Sequence, residues 1–171
     1  MGVIDVYRLV KEQVPNIQLA LVGSMASDDP EGWDFFTNTI KYAGSDSDIH
    51  ILNNFNNVGG VEINAFQSHA DVLIQKSIRE GFGLTVAEAL WKARPFIGGN
   101  VGGIPLQVKD GITGYLVNSV EECADRATEI LLNPALGRKL GEQGKEFVRE
   151  NFLMPRYLRD YLRNLSHIAA E

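Results

Sequence analysis

The 171-residue sequence has little of what marks several large classes of protein. There is one cysteine, Cys123, so neither an internal disulfide nor a cysteine zinc site can form, and the chain reads as cytoplasmic. No apolar run approaches the roughly 20 residues that span a bilayer, and Met1-Gly2-Val3-Ile4-Asp5 lacks the basic flank of a secretory signal. Integral membrane association is therefore not expected. Basic residues are in deficit, 16 Lys and Arg against 22 Asp and Glu, for a net charge of -6. A field of that sign repels a phosphate backbone, so nucleic acid is excluded as a general partner. The 3 histidines, His50, His69 and His167, are scattered without metal-ligand spacing, and no metal site is expected. Asp46-Ser47-Asp48 lacks the later glycine and glutamate of a calcium loop. No Gly-x-Ser-x-Gly elbow occurs. What remains, at 44% hydrophobic residues, is the composition of one ordinary folded domain.

Within that composition the apolar residues alternate between two periods. Val3, Val6, Tyr7, Val10 and Val14 recur at helical spacing, and Ile17 to Val22 reads as a strand closed by Gly23. The alternation continues as helix 32–43, strand 49–52, helix 61–69, apolar segment 71–74, helix 85–92 and strands 95–98 and 115–117. Helices over about 120–132, 134–150 and 155–169 follow. Phe147, Phe152, Tyr157, Tyr161 and Leu165 on the last two read as a core stripe, with an exposed partner-binding surface as the alternative. Short apolar strands separated by helices imply a parallel sheet covered on both faces, a doubly wound α/β fold. Such sheets bind ligands beyond the carboxyl ends of their strands.

Ten of the 17 glycines lie between Gly59 and Gly114, which places the candidate site. The sharpest segment is Arg79-Glu80-Gly81-Phe82-Gly83-Leu84-Thr85-Val86-Ala87-Glu88, a Gly-x-Gly turn opening a helix. Backbone N–H groups at a helix start, backed by the helix dipole, bind phosphate. A carboxylate on either side suits a ligand with hydroxyls on both sides of its phosphates, the layout of a nucleotide sugar. Against this, a glutamate near a helix start also stabilises the helix with no ligand present. A second loop, Ile97-Gly98-Gly99-Asn100-Val101-Gly102-Gly103-Ile104-Pro105, follows another strand and is expected to face the first across a crevice. Asp110-Gly111 has hairpin-type turn chemistry and reads as structural. Cys123 reads as a packing residue.

Glu80 and Glu88, separated by seven residues that include Gly81-Phe82-Gly83, resemble the family 4 retaining glycosyltransferases of GT-B architecture. Gly102-Gly103-Ile104-Pro105 and Asp110-Gly111-x-x-Gly114 look like the segments that follow in that family. The resemblance covers nearly the whole chain and aligns with the C-terminal, nucleotide-sugar-binding domain. Asp28 to Trp33, Asn64 to Gln67 and Leu106-Gln107 look most like the branch of trehalose glycosyltransferring synthases and trehalose phosphorylases. The resemblance implies that residues 1–171 are a Rossmann-like donor domain with extra C-terminal helices. It implies Glu80 as the catalytic residue at the donor hexose, with Gly81, Phe82, Gly83 and Leu84 approaching sugar and phosphates. It further implies Thr85 on the diphosphate, Glu88 on the ribose, Gly102 and Gly103 lining the site, and the loop from Asn53 beside the base. The implied partners are UDP-, ADP- or GDP-glucose and an acceptor sugar, with no cofactor.

The family's domain opens with a strand and a loop whose arginine and lysine clasp the diphosphate, preceded by an acceptor-binding domain. This sequence begins at the first helix. The expectation is a truncated donor domain without its first strand, inactive as a transferase by itself. Its sheet is expected to close by direct pairing of the flanking strands, or copies to associate as a homo-oligomer. Two further readings stay open: a non-catalytic binding module on the same fold, and part of a trehalose phosphorylase using glucose 1-phosphate.

Overall fold

The structure is a computed structural model that describes residues 2–168. Strands and helices follow one another as α1 (Gly2–Gln13), β1 (Leu19–Gly23), α2 (Pro30–Ala43), β2 (Ile49–Asn53), α3 (Gly60–His69), β3 (Leu73–Gln75), α4 (Leu84–Trp91), β4 (Phe96–Gly99), α5 (Ile104–Gln107), β5 (Tyr115–Val117), α6 (Val120–Leu132), α7 (Pro134–Asn151) and α8 (Met154–Ile168). The α/β class and the parallel pairing are as the alternation implies. Short α5 and the 3-10 turn Asn54–Asn56 are additions, too brief for a periodic signal to reveal.

Pairing divides the strands into two sheets, β1-β2 and β3-β4-β5, all parallel. β4 lies between two neighbours, and all four of its residues are buried. Phe96 and Ile97 point to opposite faces, as successive strand residues must. Ile97 joins Val6 and Val10 of α1 with Cys123, Ala124 and Ala127 of α6. Phe96 joins Val86, Ala89 and Leu90 of α4, Ile104 of α5 and Val148 of α7. The three-stranded sheet thus carries a core on each side, the doubly wound arrangement. Small residues make these layers tight: a Cβ at Gly141 of α7 would stand 2.1 Å from the carbonyl oxygen of Ala93. Cys123 is packed in, and burial pushes its thiol up to about 11, consistent with a packing role.

Direct closure between β1 and β3 does not occur; they belong to different sheets. The sheets are coupled through α1 instead. Its apolar face packs on α6 and the three-stranded sheet, while Tyr7 Oη donates to Asp46 at 3.1 Å and Lys11 Nζ to Asp48 at 2.8 Å, at the turn into β2. The Asp110-Gly111 turn also differs from a hairpin. It leads into β5, which lies parallel to β4, and the Asp110 carboxylate accepts the Leu116 N–H at 2.9 Å. The aromatic stripe divides as well: Phe147 and Phe152 are half-buried, but Tyr157, Tyr161 and Leu165 are exposed, because α8 buries no residue. Among the described residues no helix is long and apolar enough to cross a membrane.

Candidate functional site

The carboxyl end of β3 delivers Gln75, after which the chain turns through Lys76 to Gly83 into α4. Gly83 caps the helix with φ of 83°, a left-handed conformation that an L side chain adopts only with strain. Its carbonyl accepts the Val86 N–H at 3.0 Å, and the N–H groups of Gly83, Leu84 and Thr85 donate to no atom among the described residues. Three unpartnered donors at the positive end of a helix dipole are the kind of group that an anion can satisfy. Leu84 and Thr85 are exposed, so the donors lie near the surface.

Glu80 stands at the entrance to this turn with its carboxylate fixed. Gln75 Nε2 donates to Oε2 at 2.6 Å, Ser77 Oγ donates to it at 3.4 Å, and the Gly81 N–H donates to Oε1 at 3.0 Å. A carboxylate has about four acceptor directions, so Oε1 keeps one for a ligand hydroxyl. Glu88 lies on α4 and is exposed; its Oε2 accepts from Gln67 Nε2 of α3 at 3.0 Å, and Lys92 donates to the other end of Gln67 at 2.7 Å. The two glutamates are therefore oriented by different neighbours, one by its own loop and one by α3.

The glycine loops do not face each other across a crevice; they touch. The Gly103 N–H donates to the Gly81 carbonyl at 2.8 Å, and a Cβ at Gly102 would stand 1.8 Å from the Glu80 carbonyl oxygen. Backbone hydrogen bonding brings Gly102 and Gly103 against Glu80, Gly81 and Phe82 and leaves no space between them. The open space lies beside the loops. A cavity of about 240 Å3 sits beyond the carboxyl ends of β3, β4 and β5, lined by Lys76, Ser77, Ile78, Gly99, Asn100, Val101, Val117 and Asn118. Lys76 forms no ion pair among the described residues. A second cavity of similar volume, between the Lys109–Thr113 turn and α7, contains no part of the glycine turn.

Asn53 sits apart from this cluster, at the end of β2. It is buried, and its side-chain oxygen accepts the N–H groups of Phe55 and Asn56 at 2.9 and 3.2 Å. That side chain caps its own turn and presents no free oxygen in that direction. Phe82 is 42% exposed, its ring 5.8 Å from that of Phe152. The residues missed by motif reading are the supports: Gln67, Gln75, Ser77, Lys92 and Gln107. Gln67 and Gln107 stood in segments that marked the branch, but no local pattern shows what a glutamine side chain will reach.

The sequence and the fold have counterparts in known proteins. The family described as "Glycosyl transferases group 1" matches residues 2–147. The chain belongs to that family. It is 59% identical over 163 residues to a trehalose synthase of Rubrobacter xylanophilus, covering 95% of this chain and 39% of that protein. The chain thus spans about two fifths of the length of the curated relatives it matches, whose C-terminal part it resembles. Among solved structures, sucrose-phosphate synthase from Thermosynechococcus elongatus superimposes with a TM-score of 0.80 at 25% identity, over 98% of this chain and 43% of that one. Anabaena HepE in complex with UDP-glucose gives 0.74 at 16% identity, over 94% and 44%, a likeness of fold. The fold is that of part of a GT-B glycosyltransferase.

Proposed function

We propose that this glycosyltransferase group 1 chain is the donor-binding domain of a retaining hexosyltransferase that takes glucose from a nucleotide-glucose. The observation that carries the reading is the trio of unpartnered N–H groups at Gly83, Leu84 and Thr85, at the end of a turn whose first residues, with unpaired Lys76, line a cavity. As the bond between the sugar C1 and the diphosphate oxygen breaks, negative charge grows on that oxygen. Fixed donors and a cation stabilise it without reorganising. Glu80, held by Gln75 and the Gly81 N–H, offers its remaining acceptor to hexose hydroxyls, and Glu88 offers its free oxygen to the ribose. The trehalose synthase relative supports glucose as the acceptor, and HepE with UDP-glucose supports a nucleotide-sugar donor. The acceptor site belongs, in this reading, to residues outside the 171 of this chain, and the chain alone does not turn over. The single buried cysteine suits a reducing cytoplasm.

Calorimetric titration with UDP-, ADP- and GDP-glucose tests the reading. One of them should bind at a single site, about tenfold or more weaker to Glu88→Ala, the scale of losing a charge-assisted hydrogen bond. Equal binding by wild type and variant would remove Glu88 from the site. Failure of all three to bind would remove the donor reading.

A further inference from the structure

The loop that carries the unpartnered donors is held from behind by one side chain. Gln107, the last residue of α5, is completely buried. Its Nε2 donates to the carbonyl oxygen of Phe82 and, at 3.3 Å, to that of Gly83. No peptide bond among the described residues is cis. In a planar trans peptide the C=O and N–H point in opposite directions. Drawing the Phe82 and Gly83 carbonyls toward α5 therefore turns the N–H groups of Gly83 and Leu84 away from it. These are two of the three unpartnered donors.

The other end of the same side chain shows that this arrangement is not the cheapest packing. Gln107 Oε1 is buried and has no hydrogen-bond partner. A leucine or methionine of similar volume would fill the position without burying an orphan acceptor. A buried amide with one half unsatisfied makes sense where its other half performs a task that no apolar side chain can. Here the task is a directional one: two successive carbonyls need a donor, and backbone approach at Gly103 brings α5 near enough to supply it. A Cβ at Gly103 would stand 2.4 Å from the Gly81 carbonyl oxygen and 2.8 Å from the Phe82 Cα.

We infer that Gln107 is a positioning residue for the donor diphosphate: it sets the direction of the Gly83 and Leu84 N–H groups and touches no substrate atom itself. The inference rests on the donor-site reading above and adds the residue that aims its anion-binding backbone. It also separates Gln107 from the neighbouring Leu106, which is exposed and contacts neither carbonyl by hydrogen bond.

The test uses the intact chain, inorganic pyrophosphate as the base-independent probe, and amide proton–nitrogen spectra. In wild type, pyrophosphate should shift the Gly83 and Leu84 amide signals. Gln107→Met, which keeps the volume, should retain the thermal midpoint within a few degrees. It should bind pyrophosphate about tenfold or more weakly, with the shifts at Gly83 and Leu84 reduced. Gln107→Glu adds a readout that packing alone would not move. An ionised carboxylate repels both carbonyls, whereas its protonated form can donate to one, so binding should improve as the pH falls. Undiminished pyrophosphate binding by Gln107→Met, with the same amide shifts, would overturn the positioning role and leave the donor site standing. Absence of any pyrophosphate response in wild type would overturn the donor-site reading and this inference with it.

Discussion

At the scale of the residue, the site depends on places where two backbones touch. Gly102, with φ of 55°, has room for no Cβ, since Glu80's carbonyl oxygen would lie 1.8 Å from it. Gly102→Ala should therefore lose about 2–4 kcal/mol of stability in urea unfolding, from strain and loop displacement together. Gly81 lies in the same turn, yet a Cβ there meets nothing within 4 Å. Gly81→Ala should change stability by less than about 0.5 kcal/mol. Equal losses in the two variants would contradict the packing described. The sequence showed both glycines equally, as members of two glycine-rich loops. It did not show which one a second backbone would press against. Glu80 and Glu88 were legible because they bracket a Gly-x-Gly turn before a helix. Gln75, Gln67 and Gln107, which orient that machinery, were not. A glutamine's partner is set by tertiary packing 5 to 25 residues away in sequence, and no local periodicity records it.

Among the elements, the long periodic ones matched their sequence patterns closely. Residues 120–132 read as a helix and form α6, with Ser119 Oγ accepting the Glu122 N–H at 3.0 Å as its N-cap. Boundaries moved by one or two residues elsewhere, as at Pro30, which starts α2 ahead of the first apolar repeat. The misreading concerned α8. Its apolar positions recur at helical spacing, which is the signature of a buried face, but periodicity records amphipathic character and not the presence of a neighbour. Met154, Tyr157, Leu158, Tyr161, Leu162, Leu165 and Ile168 are all exposed. A chain ending after Leu153 keeps Phe152 against Phe82 and loses no buried side chain. Its thermal midpoint, followed by circular dichroism, should lie within about 3 °C of the intact chain. A fall of 10 °C or more would mean that α8 is part of the cooperative core.

For the molecule as a whole, the coupling of the two sheets through α1 makes a pH-dependent contribution. The Asp48 backbone N–H, chiefly, and then Lys11 and Tyr7 hold the Asp46 carboxyl below its ordinary value of 3.8. A lowered acid pKa contributes stability above the ordinary value, lost as pH falls through the lowered one. Hydrogen bonds to Asp48 and then Tyr7 raise the Lys11 ammonium above its ordinary 10.5, so its contribution is complete at neutral pH and fades only in strong alkali. Stability should therefore be flat between these limits as far as this cluster is concerned and decline below about pH 4. In Lys11→Met the acid decline should become shallower without vanishing, because the backbone hydrogen bond to Asp46 remains. An unchanged acid limb in that variant would show that Lys11 contributes nothing to holding α1 on the turn before β2.

The scales meet at the start of α4. There a left-handed glycine and a buried glutamine meet in the proposed anion site, on a turn that leaves the carboxyl end of a parallel strand. The most direct measurement is a crystal structure of this chain grown with whichever of UDP-, ADP- or GDP-glucose binds it. The expected result places the diphosphate within hydrogen-bond distance of the Gly83, Leu84 and Thr85 N–H groups, with the hexose at Glu80 and the ribose at Glu88. A diphosphate bound elsewhere, such as the cavity between the Lys109–Thr113 turn and α7, would contradict the account.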